Sequence, residues 1–239
     1  MSRDRTPIRA LLFDVDGTLY HQGPVRRRMA QALLARFLVE PRRARERLRN
    51  LSCWRAALEA VRTETFDFIK GRGGLRARQR AIALQNGARP ETLDADVREW
   101  MEERALPVLA TCKRPGLDAF LDEVRDLGVR IGAWSDYPCA AKLASLGLED
   151  RFEVQVAADD TAVDCLKPWP HGFRVAAQRF DLPTKAVFYI GDRADVDATG
   201  AGAAGMRSAI FTKARGGGYL AVRDVAELRA ALLPLLSTR

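Results

Sequence analysis

From residue 116 onward the chain alternates between short apolar runs and longer amphipathic ones, and few folds accept that rhythm. "GLDAFLDEVRDLG" reads as a helix, "VRIGAW" as a strand and "PCAAKLASLGL" as a helix. "EVQVAA", "AVFYI" and "RSAIF" read as further strands, separated by the helical stretches "PHGFRVAAQRFDL" and "VDATGAGAAGM". "VAELRAALLPLL" closes the chain as a helix. Strands that are each followed by a helix pair in parallel, with helices covering both faces of the sheet. The expected fold is α/β, a doubly wound parallel sheet. Residues 8–13 (Ile-Arg-Ala-Leu-Leu-Phe) add one more buried strand near the start.

No strand pattern appears from 24 to 108. Val25, Met29, Leu33 and Phe37 recur every four residues, and Leu48, Leu51, Trp54, Leu58 and Val61 continue at helical spacing after Pro41. A break at "KGRGG" precedes the helical "LRARQRAIAL". Residues 91–106 read as a further helix, with Leu93, Val97, Trp100 and Met101 on its apolar side. The expected organisation is an α/β core over residues 1–20 and 110–239, interrupted by an all-helical insertion at 21–109.

Composition narrows the class. No run of about 18 uncharged apolar residues exists to span a membrane, and the opening "MSRDRTPIRALLFD" lacks the pattern of a signal peptide. Cys53, Cys112, Cys139 and Cys165 are far apart with no CxxC pair, which predicts reduced thiols and a cytoplasmic protein. His21 and His171 are the only histidines, so a histidine base has little support. The net charge is +8, but residues 26–80 carry sixteen Lys and Arg against five Asp and Glu, a net +11. A nucleic-acid partner is one reading of that excess; a solvated Arg-rich helical surface is the favoured one.

In a doubly wound sheet, ligands sit beyond the carboxyl ends of the strands. There the sequence places Asp14-Val15-Asp16-Gly17-Thr18, then Ser135-Asp136, then Lys167, and finally Asp192 with Asp195 and Asp197 in the next turn. Buried charges at strand ends are costly unless they bind something or stay wet. Carboxylates, hydroxyls and one ammonium, with no histidine and no G-x-G-x-x-G loop, suit phosphoryl transfer to a carboxylate. Asp14 can attack phosphorus and form an acyl phosphate, and Asp16 can protonate the leaving oxygen and later deprotonate water. Ser135 and Lys167 can hold the phosphate and neutralise its charge. Thr18 and Asp136, beside them, join the candidates for substrate binding. Several carboxylates around a phosphate require a hard divalent cation, for which Mg²⁺ is the expected species.

These segments resemble the motifs of the haloacid dehalogenase-like (HAD) hydrolase superfamily: "DVDGTL" the first, "WSD" the second, "LKP" the third and "GDRADVD" the fourth. The resemblance implies Asp14 as nucleophile, Asp16 as acid/base and Ser135 and Lys167 as phosphate binders. It implies a metal site made by Asp14, the backbone carbonyl of Asp16, Asp192 and Asp197, with Asp195 as an alternate. Ser135 follows Asp16 by 119 residues, whereas Lys167 follows Ser135 by only 32. The helical insertion therefore lies between the first two motifs, where it resembles the α-helical C1 cap of that superfamily. A cap of this kind closes over the site and selects the substrate.

The expected activity is hydrolysis of a small phosphorylated metabolite, with a phosphomutase as the alternative and a non-catalytic nucleic-acid-binding module as the less favoured one. A dehalogenase needs neither a leaving-group acid nor a metal, so Asp16 and Asp192 argue against it. Among the cap arginines, Arg72 in the glycine-rich break is the expected contact for a second anionic group on the substrate. The chain is expected to act as a monomer or homodimer.

Overall fold

A computed structural model describes residues 6–64, 69, 71, 73–214 and 216–236. Six strands form one sheet in the order β3-β2-β1-β4-β5-β6, and every adjacent pair is parallel. They are β1 (Ala10–Phe13), β2 (Arg130–Ser135), β3 (Val154–Ala157), β4 (Val187–Gly191), β5 (Arg207–Phe211) and β6 (Leu220–Val222). The first five match the sequence expectation to within two residues at each end. The short edge strand β6 was not expected: three residues after a glycine-rich turn are too few to show a period.

β1 lies at the centre because it is apolar on both faces. Ala10 and Leu12 point into one buried cluster with Trp134, Val156, Phe173 and Tyr189. Leu11 and Phe13 point into the other with Ile131, Phe120, Phe188 and Ile190. This period of two across a doubly covered sheet is what a central parallel strand requires. Helices cover both faces, among them α6 (Leu117–Asp126), α7 (Ala140–Ser145), α8 (His171–Arg179), α9 (Thr199–Ala203) and α10 (Val225–Leu236).

Between β1 and β2 the chain forms α1 (Gln22–Val39), α2 (Pro41–Arg62), α3 (Leu75–Gln85), α4 (Leu93–Val97) and α5 (Leu106–Leu109). The helix expected over 91–106 is interrupted, with a π-helical stretch at Arg98–Glu103 separating α4 from α5. Pro107, in the first turn of α5, keeps that helix from continuing the preceding one. It offers no N–H to the carbonyl of Glu103 and its ring clashes there, so a straight helix cannot run through it.

α2 carries the apolar spacing read from the sequence, with Leu51, Trp54, Leu58 and Val61 buried and Leu48 exposed. The four-residue repeat forms the helix expected, α1, in which only Val25 is buried over 18 residues. Part of the basic excess of this segment is paired with carboxylates. Arg43 holds the buried Asp96 with two hydrogen bonds of 2.9 and 2.6 Å, and Arg47 and Asn50 add bonds of 3.2 and 2.8 Å. Arg76, Arg78 and Arg80 pair with Glu102, Glu64 and Asp94. A buried carboxylate needs such partners, and arginines engaged this way are not a free basic patch for a polyanion. Arg72 lies outside the described residues. No helix among the described residues is long and apolar enough to cross a membrane.

Candidate active site

The carboxyl ends of β1, β2 and β4 bring the motif residues to one cleft of about 520 Å³. Asp14 follows β1 directly, its N–H donating to the carbonyl of Ile190 on β4 at 2.8 Å, so the backbone of the neighbouring strand fixes its place. One carboxylate oxygen accepts from Lys167 Nζ at 2.6 Å and the other from Thr18 Oγ1 at 3.0 Å. Thr18 is fully buried and touches Asp14, so its hydroxyl orients that carboxylate.

Gly17 makes the turn between them. Its φ is +99°, and a Cβ there would stand 2.1 Å from Asp192 Oδ2. Only a residue without a side chain lets the first and fourth motifs approach this closely.

Asp16 points to the other side. Its carboxylate accepts from Tyr20 OH and from Lys142 Nζ, the latter at 2.5 Å. Burial pushes the Asp16 pKa up, but the Lys142 ammonium and the two hydrogen bonds outweigh burial and hold it below the ordinary carboxylate value. Asp14 goes the opposite way: burial, with the charges of Asp197, Asp192 and Asp16, raises its pKa well above the usual value despite Lys167. The two carboxylates thus have opposed proton affinities, Asp14 raised by burial and the carboxylates crowded around it and Asp16 lowered by its cation and hydrogen bonds.

Lys167 is buried and donates to Asp14, to Tyr189 OH at 2.9 Å and to Asp197 Oδ1 at 2.9 Å. Burial disfavours its charge, yet Asp14 and Asp197 more than compensate and raise its pKa well above the ordinary lysine value. Asp197 accepts two further hydrogen bonds on Oδ2, from the backbone N–H groups of Asp192 (3.1 Å) and Arg193 (3.0 Å). Those bonds are possible because the chain after β4 enters a π-helical turn, Ala194–Ala198, that folds Asp197 back onto the loop.

Asp14, Asp192 and Asp197 place oxygens within 4.8 Å of one another. Burial and the charge of Asp197 push the Asp192 carboxyl up to about 6. Crowding raises the proton affinity of Asp14 and Asp192, and a hard divalent cation with oxygen ligands compensates such crowding, so the donor set fits one. Within the cluster, both Asp197 oxygens already accept two hydrogen bonds each. Through these bonds Asp197 also holds Lys167 and the Asp192 loop in place. Asp195 is exposed and paired with Arg193 at 2.7 Å, outside the cluster.

Ser135 is buried at the end of β2, its Oγ accepting from the N–H of Tyr137 at 3.2 Å, which leaves its own proton to donate. Asp136 lines the cleft, but its oxygens are engaged: Oδ1 by the N–H of Lys167 (3.0 Å) and Oδ2 by Arg62 (2.8 Å). Its carboxylate ties α2 to the third motif.

Several residues at the site carry no motif signal. Lys142 and Tyr20 hold Asp16, and Tyr189 bridges Lys167 and Asp197. Arg114 donates to the carbonyls of Gly17 (2.7 Å) and Thr18 (2.9 Å), pinning the first turn. Arg26 and Arg55, from α1 and α2, line the cleft. Of these, only the two arginines had a signal, the basic excess of the insertion.

A haloacid dehalogenase-like hydrolase family model matches residues 8–205. A phosphoglycolate phosphatase of Cereibacter sphaeroides is 32% identical over 215 residues, covering 85% of this chain and 84% of the relative. A glyceraldehyde 3-phosphate phosphatase of Methanopyrus kandleri is 27% identical over 206 residues, 83% of this chain and 82% of the relative. The crystal structure of a 2-haloacid dehalogenase from Pseudomonas syringae pv. Tomato DC3000 shares the fold with a TM-score of 0.65 at 20% identity, covering 95% of this chain and 99% of that one. With four motifs converging at the strand ends and a family match across most of its length, the chain belongs to the haloacid dehalogenase-like hydrolases.

Proposed function

We propose that the protein is an Mg²⁺-dependent, cytoplasmic phosphomonoesterase that hydrolyses a phosphorylated metabolite through an aspartyl-phosphate on Asp14, with residues 21–109 as its cap. The observation that carries this reading is the pairing of Asp14 with Asp16: one carboxylate held by Lys167 and Thr18, the other held apart by Lys142 and Tyr20. A dehalogenase would have no use for the second. The phosphatase names of the two relatives agree with it, and four buried cysteines without a disulfide suit a reducing compartment.

Asp14 attacks phosphorus, the P–O bond to the leaving group breaks, and the leaving oxygen takes a proton from Asp16. Asp16 then takes a proton from water as that water attacks phosphorus, and the P–O bond to Asp14 breaks. Lys142 and Tyr20 favour the ionised Asp16 that the second step needs, and the arriving phosphate, as a like charge, raises its proton affinity for the first. Lys167 orients Asp14 and offsets the charge gathered around phosphorus; the Ser135 hydroxyl has its proton for a phosphate oxygen. Mg²⁺, held by Asp14, Asp192 and the Asp16 carbonyl, would compensate the phosphate charge.

The test is Asp14→Asn, which keeps the shape and removes the nucleophile. Turnover is expected to vanish while the melting temperature moves little. A variant retaining more than about a tenth of wild-type kcat, a barrier change under ~1.4 kcal/mol, overturns the mechanism.

A further inference from the structure

Beside the catalytic cleft lies a second cavity of about 640 Å³, and Asp16 lines both. Its walls differ in character. Met29, Ala30 and Leu33 of α1 face it from one side, Leu48 and Leu51 of α2 from another, and Trp100, Leu106 and Leu109 from the third. The four-residue repeat of α1 thus finds its place: Met29 and Leu33, left unburied by packing, border this chamber. Arg26, Arg55 and Tyr137 stand in both cavities and mark the junction between them.

In-line displacement fixes where a leaving group goes. Asp14 enters on one side of phosphorus and the leaving oxygen departs on the opposite side, toward its proton donor. On the reading above that donor is Asp16, and beyond Asp16 lies the chamber. Its volume falls in the range of ligand pockets and exceeds what a two-carbon leaving group occupies. An apolar wall left wet is unfavourable and gains from being covered.

We propose that the chamber is the leaving-group site and that the enzyme prefers phosphate monoesters whose alcohol carries an extended apolar body, alkyl or aryl. This rests on the phosphatase reading, and the experiment separates the two. The Mg²⁺-loaded enzyme is assayed by phosphate release on ethyl, butyl and hexyl phosphate and on phenyl phosphate. Each added methylene is expected to raise kcat/KM about two- to fourfold, the range from partial to full burial of a CH₂ group. Ala30→Trp and Ser52→Trp, at exposed helix positions that tolerate bulk, fill the chamber from α1 and α2. Each is expected to cut the hexyl-to-ethyl ratio of kcat/KM at least about fivefold, the gain of one to two methylenes. A flat chain-length series, or a ratio unchanged in both variants, overturns the inference while ester hydrolysis stands. No metal-dependent hydrolysis of any ester overturns the phosphatase reading itself.

Discussion

Replacing Gly17 by alanine is the sharpest test of how the site is held together. The added Cβ would lie 2.1 Å from Asp192 Oδ2 and 2.8 Å from its Cγ. Restoring an ordinary contact moves that carboxylate by about 1 Å, and a displacement of that size in a reacting constellation costs on the order of 100-fold in rate. The expected fall in kcat corresponds to ~2.7 kcal/mol. The backbone adds its own cost, because φ of +99° strains any residue with a side chain by about 1–3 kcal/mol. A domain with 5–15 kcal/mol of stability remains folded after such a loss, so the drop in rate is not a loss of folded protein. The assay is phosphate release at saturating ester over a range of Mg²⁺ concentrations, with urea unfolding measured on the same preparation. Half-maximal activity should need more Mg²⁺ in the variant, since Asp192 is a proposed ligand. A variant that turns over within threefold of wild type at the same Mg²⁺ concentration refutes the claim that Gly17 sets the position of Asp192.

Chelation is expected to stop turnover and Mg²⁺ to restore it better than Ca²⁺, whose larger radius and looser coordination misalign Asp14 and phosphorus; full activity in excess chelator would reopen the dehalogenase reading. Arg55 pairs with no carboxylate among the described residues and lines the cleft. Arg55→Ala should cost ~1.5–3 kcal/mol in kcat/KM on esters with a second anionic group and little on neutral ones, with equal losses on both returning the arginine to a surface role. Lys142→Met should move the acidic limb of the kcat profile to higher pH. Asp16 loses the cation that holds its pKa down while burial still pushes it up, so the base form appears only at higher pH; an unmoved limb would remove Asp16 as the base.

The sheet was legible because each strand is a short apolar run bracketed by helix signals, and the first and fourth motifs because carboxylates at the end of a buried strand are too costly to be incidental. Lys142, Tyr189 and Arg114 were not legible. Each is an ordinary residue in an ordinary helix, strand or loop, brought to the site only by packing between segments far apart in sequence. Asp136 and Asp197 were legible as members of the site, but the hydrogen bonds that fix their carboxylates were not, since those depend on which donors reach their oxygens. α1 carried a true helical period, but the period says which residues share a face and not whether that face meets protein or a cavity.

The position of β1 also orders events in time. Ala10–Phe13 are made long before their partners, Arg130–Ala133 on one side and Val187–Ile190 on the other. The middle of the sheet therefore cannot close until the chain as far as Ile190 has left the ribosome, and pairing across such separations is slow. The helical insertion draws on nearer contacts: Asp96 meets its partners on α2 across about half a hundred residues. It can order while "ALLF" is still an unpaired apolar strand, open to association with other nascent chains. Asp14 is thus synthesised well before the neighbours that complete its surroundings, since Lys167, Asp192 and Asp197 arrive with β4 and the segments flanking it.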